Sequence, residues 1–315
     1  MKISVILCTY NRCQSLVKAL ESAAALRLSS AVEWEVLVID DNSRDQTRRV
    51  VEDFCRRYAG RFQYLFEPQQ GKSYALNTGI RAAQGDILAF MDDDVIVDPM
   101  WLQNLTSAMD RDGWQGAGGR VVPNQEFSAP RWLAIDERYA LAPLALFDLG
   151  HDACELTEPP FGTNMAFRKA MFQKYGGFRT DLGPQPCSMI RGEDTEFGRR
   201  LLAAGERLRY EPSAVVYHAI PESRVQKEYF LAWWFDKARA DIRAFGIRPC
   251  TKLCVSGIPL VLFRTLAVWT LRWMVAVAPA RRFSCKLKVW GLAGKILECY
   301  HWSSNAKRSK EKSNA

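Results

Sequence analysis

The sequence predicts an α/β fold with a mostly parallel central sheet, followed by a basic, aromatic, helical C-terminal region. Three observations predict it. Continuous apolar runs alternate with helix-patterned segments as far as about residue 220, carboxylates cluster at the ends of two of those runs, and positive charge collects in the last third. Residues 222–315 hold 18 Lys+Arg against 6 Asp+Glu, whereas residues 1–221 hold 25 against 29, so the overall charge of +8 belongs to the C-terminal part. The expected division is therefore 1–221 and 222–315. A chain of 315 residues, 48% hydrophobic and 25% charged, can bury a large core, which excludes a disordered or low-complexity protein.

Taken in order, "ISVILC" is an apolar, β-branched run, and "NRCQSLVKALESAAAL" carries helical spacing. "WEVLVIDD" is a second strand, followed by the polar "NSRDQT" and the helix-patterned "RRVVEDFCRRY". "FQYLFE" is a third strand, "GKSYALNTGIRAAQ" a helix expected to end at Gly85, and "DILAFM" a fourth strand. Apolar strands joined by helices imply a parallel sheet covered on both faces, whose ligands bind beyond the carboxyl ends of the strands. Asp40–Asp41 and Asp92–Asp94 both fall there.

The C-terminal region opens with the aromatic, basic "EYFLAWWFDKARADIRAFG". Residues 255–278 are long enough for a transmembrane helix, but Arg264 and Arg272 interrupt them, each costing roughly 2.5–3.5 kcal/mol at a bilayer centre. The flanking Arg281, Arg282, Lys286, Lys288 and Lys295 would be exported by a single crossing, against the positive-inside tendency. A helix lying in the membrane interface, its arginines reaching the headgroups, is the expectation, with a buried or a spanning helix as alternatives. Basic residues interleaved with aliphatic runs suit an anionic membrane rather than nucleic acid, which is not expected as a partner. Nine cysteines, with no CxxC pair and no zinc spacing, suggest a reducing compartment. Cys250 and Cys254, one helical turn apart, read as a packing face, the alternative being a metal site. The opening "MKISVILCTYNR" is apolar for too few residues to be a signal-peptide core and lacks a cleavage site. A cytoplasmic protein, peripheral on the cytoplasmic face of the membrane, is expected.

Three adjacent carboxylates at the end of a buried strand are costly unless a cation relieves them. On an extended strand Asp92 and Asp94 share a face while Asp93 points away. Carboxylate oxygens suit a hard divalent cation such as magnesium or manganese. The alternative for this triplet is a solvated acidic turn.

"ISVILCTYNR", "VLVIDDNSRDQT", "GKSYALNTGIRAAQGD", "FMDDDV", "FGTNMAFRK", "GGF" and "RGEDTEFGRRL" occur in the order and spacing of family 2 glycosyltransferases. Over about residues 3–220 the sequence resembles that family. The resemblance implies the glycosyltransferase A-type fold, which binds a nucleotide sugar and a divalent metal beyond its strand ends. By position, it implies that Asp41 contacts the nucleotide base with Cys8 and Thr9 nearby, and that Lys72 lies near the nucleotide or diphosphate. Asn77 would help order the helix that follows Lys72. Of the aspartates, Asp92 with Asp93 would lean toward the nucleotide sugar and Asp94 toward the metal. Asp194 would be the catalytic base, with Glu193 as its substitute. Since relatives often place a histidine near the metal or diphosphate, His218 is a second metal-site candidate, the alternative being a core histidine. "FGTNMAFRK" looks like the acceptor-side motif, with Gly162 and Asn164 shaping the site. Trp132, Trp233 and Trp234 either stack on sugar faces or pack in the core; His151 and His301 have no supporting context. No full GxxxxGK[ST] loop is present, so a nucleoside-triphosphatase has no support.

The function these features imply is an inverting, metal-dependent glycosyltransferase, a hexosyl- or related transferase. It would move a sugar from a nucleoside-diphosphate sugar to a hydroxyl of a glycan or lipid-linked acceptor, in cell-surface polysaccharide or glycoconjugate synthesis. The rivals are a nucleotidyltransferase and a non-catalytic nucleotide-sugar-binding protein. Donor, base, acceptor and linkage depend on loops at about 120–160 and 180–190 that carry no readable signal.

Overall fold

The structure is a computed structural model that describes residues 1–110, 113–134, 140–186, 190–247 and 253–313, residues 305–313 by backbone alone. It resolves into two compact units, one comprising Met1–Glu126, Ala145–Ser188 and Glu193–Ile220, the other Phe127–Leu144, Met189–Gly192 and Pro221–Ala315.

In the first unit the expected alternation is present: β1 (Lys2–Thr9), α1 (Cys13–Ala24), β2 (Glu33–Asp40), α2 (Thr47–Arg57), β3 (Phe62–Phe66), α3 (Lys72–Ala82) and β4 (Ile87–Asp92). β1 lies between β2 and β4, and β2 pairs β3, all in parallel. With both faces covered, nearly every residue of β1 must be apolar, and Ile3, Val5, Ile6 and Leu7 are completely buried. α1 buries Leu16, Ala19, Leu20 and Ala23, a spacing of three and four that puts them on one side of the helix. α3 stops at Ala82 rather than at Gly85. Gly85 has a different reason: a Cβ there would meet the Ser4 backbone nitrogen at 2.4 Å, so only glycine lets the chain pass β1 so closely.

Beyond β4 come β5 (Val95–Val97), α4 (Trp101–Ser107), β6 (Gly116–Pro123), β7 (Cys154–Glu155), β8 (Met165–Arg168), α5 (Lys169–Tyr175), α6 (Glu193–Ala203) and β9 (Leu208–His218). They extend the sheet in the order β3-β2-β1-β4-β8-β6-β9-β5, with β7 also on β9. β8 is antiparallel to both β4 and β6, so the sheet is mixed on this side. An aromatic cluster joins these parts. Phe172 of α5 stacks on Phe197 of α6 at 4.4 Å, and Phe167 of β8 meets Phe197 edge-on at 5.1 Å. Phe197 is completely buried one turn after Asp194, so the packing that seats it also sets where the start of α6 lies. Truncating such a ring costs about 3–5 kcal/mol.

The second unit is helical: α7 (Lys227–Phe245), the short hairpin β10 (Cys254–Val255) and β11 (Ile258–Pro259), α8 (Leu260–Val275) and α9 (Pro279–Ser313). Its core gathers Ile242, Ile258, Leu262 and Cys299. Glu298 is buried and accepts from Arg239 at 3.0 Å and Arg243 at 2.6 Å. Burial alone would raise its pKa, but the two guanidiniums outweigh that and hold the carboxyl below its usual range. Residues 255–278 thus form one hairpin strand pair and a helix of 16 residues, not one continuous helix. Among the described residues, no helix is long and apolar enough to cross a membrane. Trp132 packs edge-on against Phe230 and Phe283, and Trp233 against Trp234. Cys250 lies outside the described residues, so the packing face expected of Cys250 and Cys254 does too.

Candidate active site

Parallel pairing sets the strand ends side by side. In register, Cys8 of β1 faces Asp92 of β4, and Thr9 faces Asp40 of β2. Asp41, the next residue, donates its N–H to the Thr9 carbonyl at 2.9 Å. Its carboxylate accepts the Gly71 N–H with both oxygens, at 2.9 and 3.0 Å. Gly71 has φ +143°, where a side chain is disfavoured, and it immediately precedes α3. Burial, together with the charges of Glu67 and Asp40, pushes the Asp41 carboxyl up to about 6 against the pull of the Gly71 N–H. The Cys8 thiol is pushed up by burial as well.

The aspartate triplet separates in a way that strand alternation does not anticipate, because β4 ends at Asp92 and Asp93–Asp94 form a turn before β5. Asp92 accepts from Lys72 Nζ at 2.7 Å. Asp93 turns inward, 5% exposed, and accepts from Thr9 Oγ1 at 2.8 Å and Arg12 Nη1 at 3.0 Å. Asp94 accepts from the same Arg12 nitrogen at 3.0 Å, and its other oxygen lies 3.6 Å from Nε2 of the buried His218, the last residue of β9. Burial and the neighbouring charges of Asp94 and Asp92 lift the Asp93 carboxyl to about 6, although Arg12 and Thr9 oppose this. Arg12 went unassigned in the sequence. The signal that could have found it is a demand for charge: three carboxylates with no Lys or Arg among them need a counter-ion from another element, and "TYNR" supplies one beside them.

α6 begins at Glu193, so Glu193 and Asp194 occupy its first turn. Glu193 is 4% exposed and lies 3.7 Å from Lys72 Nζ. Burial raises its pKa; Lys72 works against this, and Asp194 adds to it. For Lys72, burial would lower the pKa, but the charges of Asp92 and Glu193 prevail and raise it, so it remains an ammonium. Asp194 accepts the Gly162 N–H at 2.8 Å and the Thr195 N–H at 2.6 Å. A Cβ on residue 162 would come within 2.9 Å of the same Asp194 oxygen, so glycine permits this close approach. Asn164, two residues on, is fully buried and committed: its oxygen accepts from Trp101 Nε1, and its nitrogen donates to the Arg120 and Ala214 carbonyls, all at 2.8 Å. It holds the segment rather than facing outward. Asn77 ties α3 to the loop ahead of Leu182 through two bonds with the Phe178 backbone.

One unit therefore carries Asp92, Asp93, Asp94, Glu193 and Asp194 against Lys72 and Arg12, an excess of three negative charges with His218 beside them. Among the described residues, no group of three or more His, Cys, Asp or Glu side chains could hold a metal ion by itself. A carboxylate oxygen of Asp94 and the imidazole of His218 nevertheless form a donor pair of the type that manganese or magnesium accepts when water and substrate oxygens complete the shell.

A mostly parallel sheet with this mixed extension is the glycosyltransferase A-type fold, which solved glycosyltransferase structures share. Residues 4–176 match the family described as "Glycosyl transferase family 2", and the chain belongs to that family. It is 28% identical over 229 residues to glycosyltransferase AglE of Haloferax volcanii, covering 72% of this chain and 70% of that protein. The glucosyl-dolichyl phosphate glucuronosyltransferase of the same organism is 26% identical over 240 residues, covering 74% and 75%. The mannosyltransferase PcManGT of Pyrobaculum calidifontis, solved in complex with GDP-Man and Mn2+, shares the fold at a TM-score of 0.62 and 18% identity, over 95% of this chain and 87% of that one. The chain is thus an enzyme that transfers sugar from a nucleotide sugar, and the nucleotidyltransferase and non-catalytic readings are set aside.

Proposed function

We propose that the chain is an inverting, metal-dependent transferase acting on the hydroxyl of a glycan or lipid-linked acceptor in polysaccharide or glycoconjugate synthesis. Asp194 accepts the proton of the acceptor hydroxyl as that oxygen bonds to the anomeric carbon. The bond from that carbon to the diphosphate breaks, the diphosphate takes the electron pair, and attack from the opposite face inverts the centre. Asp41 meets the base of the nucleotide, with Cys8 and Thr9 beside it. Asp92 and Lys72 lie toward the diphosphate and donor sugar, with Asp93 fastening the turn that carries Asp94 rather than meeting the sugar as expected. Gly162 lies on the acceptor side, in a segment that the buried Asn164 holds in place. Asp94 and His218 would hold a manganese or magnesium ion, which when bound supplies positive charge to the departing diphosphate. The glucuronosyltransferase named for a glucosyl-dolichyl phosphate supports a lipid-linked acceptor, and the mannosyltransferase carrying Mn2+ supports the cation.

The observation that carries this reading is the fastening of Asp194 by the Gly162 N–H at 2.8 Å and the Thr195 N–H at 2.6 Å, which holds one carboxylate in a fixed orientation. A general base needs that arrangement. The test is Asp194→Asn, scored by nucleoside diphosphate release and by the anomeric configuration of the product. Turnover is expected to fall by about 10²–10⁴ while nucleotide-sugar affinity stays unchanged. Near wild-type turnover refutes the assignment, and Glu193→Gln is then the variant to make.

A further inference from the structure

α8 is apolar on both sides. At 100° per residue, Leu262, Leu266, Trp269 and Trp273 fall on one arc and are buried or half-buried, with Trp273 edge-on to Trp290 of α9 at 6.1 Å. Leu260, Phe263, Val268, Leu271, Met274 and Val275 fall on the opposite half, and all are exposed, Leu271 by 59%, Met274 by 60% and Val275 by 75%. The turn that follows exposes Val277 by 92%. Isolated apolar residues on a surface need no explanation, but a contiguous helical face of them does.

The charge around this face is one-sided. Between Asp241 and Glu298 the chain contains ten Lys and Arg residues and no Asp or Glu. Arg264 sits within the exposed face, Arg272 at its edge, and Arg281 and Arg282 just past the turn, and all four are exposed. We propose that this outer face of α8 docks in the plane of a bilayer bearing anionic headgroups, with its apolar side chains at the acyl boundary and its arginines among the headgroups. A second copy of the chain is a poorer fit, since a two-fold contact through this face would bring Arg264 and Arg272 of one copy close to those of the other. Spanning is ruled out by length: 16 residues rise about 24 Å, short of the roughly 30 Å hydrocarbon core. The proposal stands on the helical unit alone and does not depend on which sugar or acceptor the enzyme uses.

The test is flotation of the full chain with phosphatidylcholine vesicles, with and without phosphatidylglycerol, at low and high salt. Three proteins are compared: wild type, Leu271→Glu with Val275→Glu, and Arg281→Gln with Arg282→Gln. All the replaced residues are exposed, and an unchanged far-ultraviolet circular dichroism spectrum establishes that each variant is folded. Wild type should float with the anionic vesicles at low salt and less at high salt. The glutamate pair should lose at least about ten-fold in partitioning, since two apolar side chains that would enter the bilayer become charged. The glutamine pair should lose about five-fold per cation removed at low salt and much less at high salt. Wild type that never floats overturns the proposal, as does a glutamate pair that floats as well as wild type. A wild-type dimer that ignores vesicles and becomes monomeric in the glutamate pair would assign the face to a second copy instead.

Discussion

Asp41→Asn offers a test of the site's electrostatics that needs no substrate. The carboxyl is 8% exposed and is raised from 3.8 to about 6, mainly by burial and then by the charges of Glu67 and Asp40. In the unfolded chain it titrates near 3.9. Above about pH 6 it is ionised in both states, and the fold carries the whole difference, about 2 units or at most about 3 kcal/mol of destabilisation. Between about pH 6 and pH 4 the folded state binds a proton that the unfolded state does not, and acidification relieves the cost at about 1.4 kcal/mol per unit. Below about pH 4 the cost is gone. Asparagine cannot ionise; its oxygen can still accept the Gly71 N–H, but its amide nitrogen is an added donor, worth about 1 kcal/mol if unsatisfied. The variant should therefore be more stable than wild type by about 2 kcal/mol near pH 8 and less stable by about 1 kcal/mol near pH 4, with the curves crossing between. Urea midpoints at matched m-values across that range measure this directly. A difference that stays flat with pH, or that moves in favour of asparagine on acidification, would refute the reasoning.

Calorimetry on Asp94→Asn should show metal-dependent nucleotide affinity largely lost, while any metal-independent binding remains; unchanged metal dependence would remove Asp94 from the metal site. Asn164→Ala should cost about 2–4 kcal/mol, because it removes the partner of the buried Trp101 N–H and Ala214 carbonyl and of the part-buried Arg120 carbonyl. Thermal unfolding of that variant measures the loss, and a change within about 0.5 kcal/mol of zero would mean that the knot is not structural.

β1 to β4 could be read from sequence because largely apolar runs alternate with helix-patterned segments, most plainly in β1 and β4, which are buried on both faces; β3, at the sheet edge, shows the pattern more weakly. β8 could not. Its four residues "MAFR" are too short to carry a period, and what makes them a strand is antiparallel contact with β4 and β6, elements far away in sequence. The same holds for β6, whose glycines argue against a strand locally. They are required by neighbours: a Cβ on residue 119 would meet the Ala214 carbonyl oxygen at 2.0 Å. Asn164 was legible as a polar residue in a motif, but its three partners come from α4, β6 and β9, so its commitment to the interior could only be seen in three dimensions.

The aspartate triplet shows where local geometry stops being a guide. Alternation would put Asp92 and Asp94 together and leave Asp93 outside, and it holds only as far as the strand does. Once the chain turns after Asp92, the counter-charges decide where each carboxylate goes. Lys72 draws Asp92 toward α3, and Arg12 draws Asp93 and Asp94 toward the start of α1. Asp93, the most buried of the three, has its charge met from both sides by Thr9 and Arg12, which makes it the residue that fastens the turn to β1. Asp94 is left with one oxygen on Arg12 and the other toward His218. Asp94 thus stands between a guanidinium and an imidazole, and a divalent cation bringing its own oxygen ligands would share its carboxylate with them. Three identical side chains in a row acquire three different tasks from the elements they meet, which is why a D-x-D spacing alone does not reveal which carboxylate is structural.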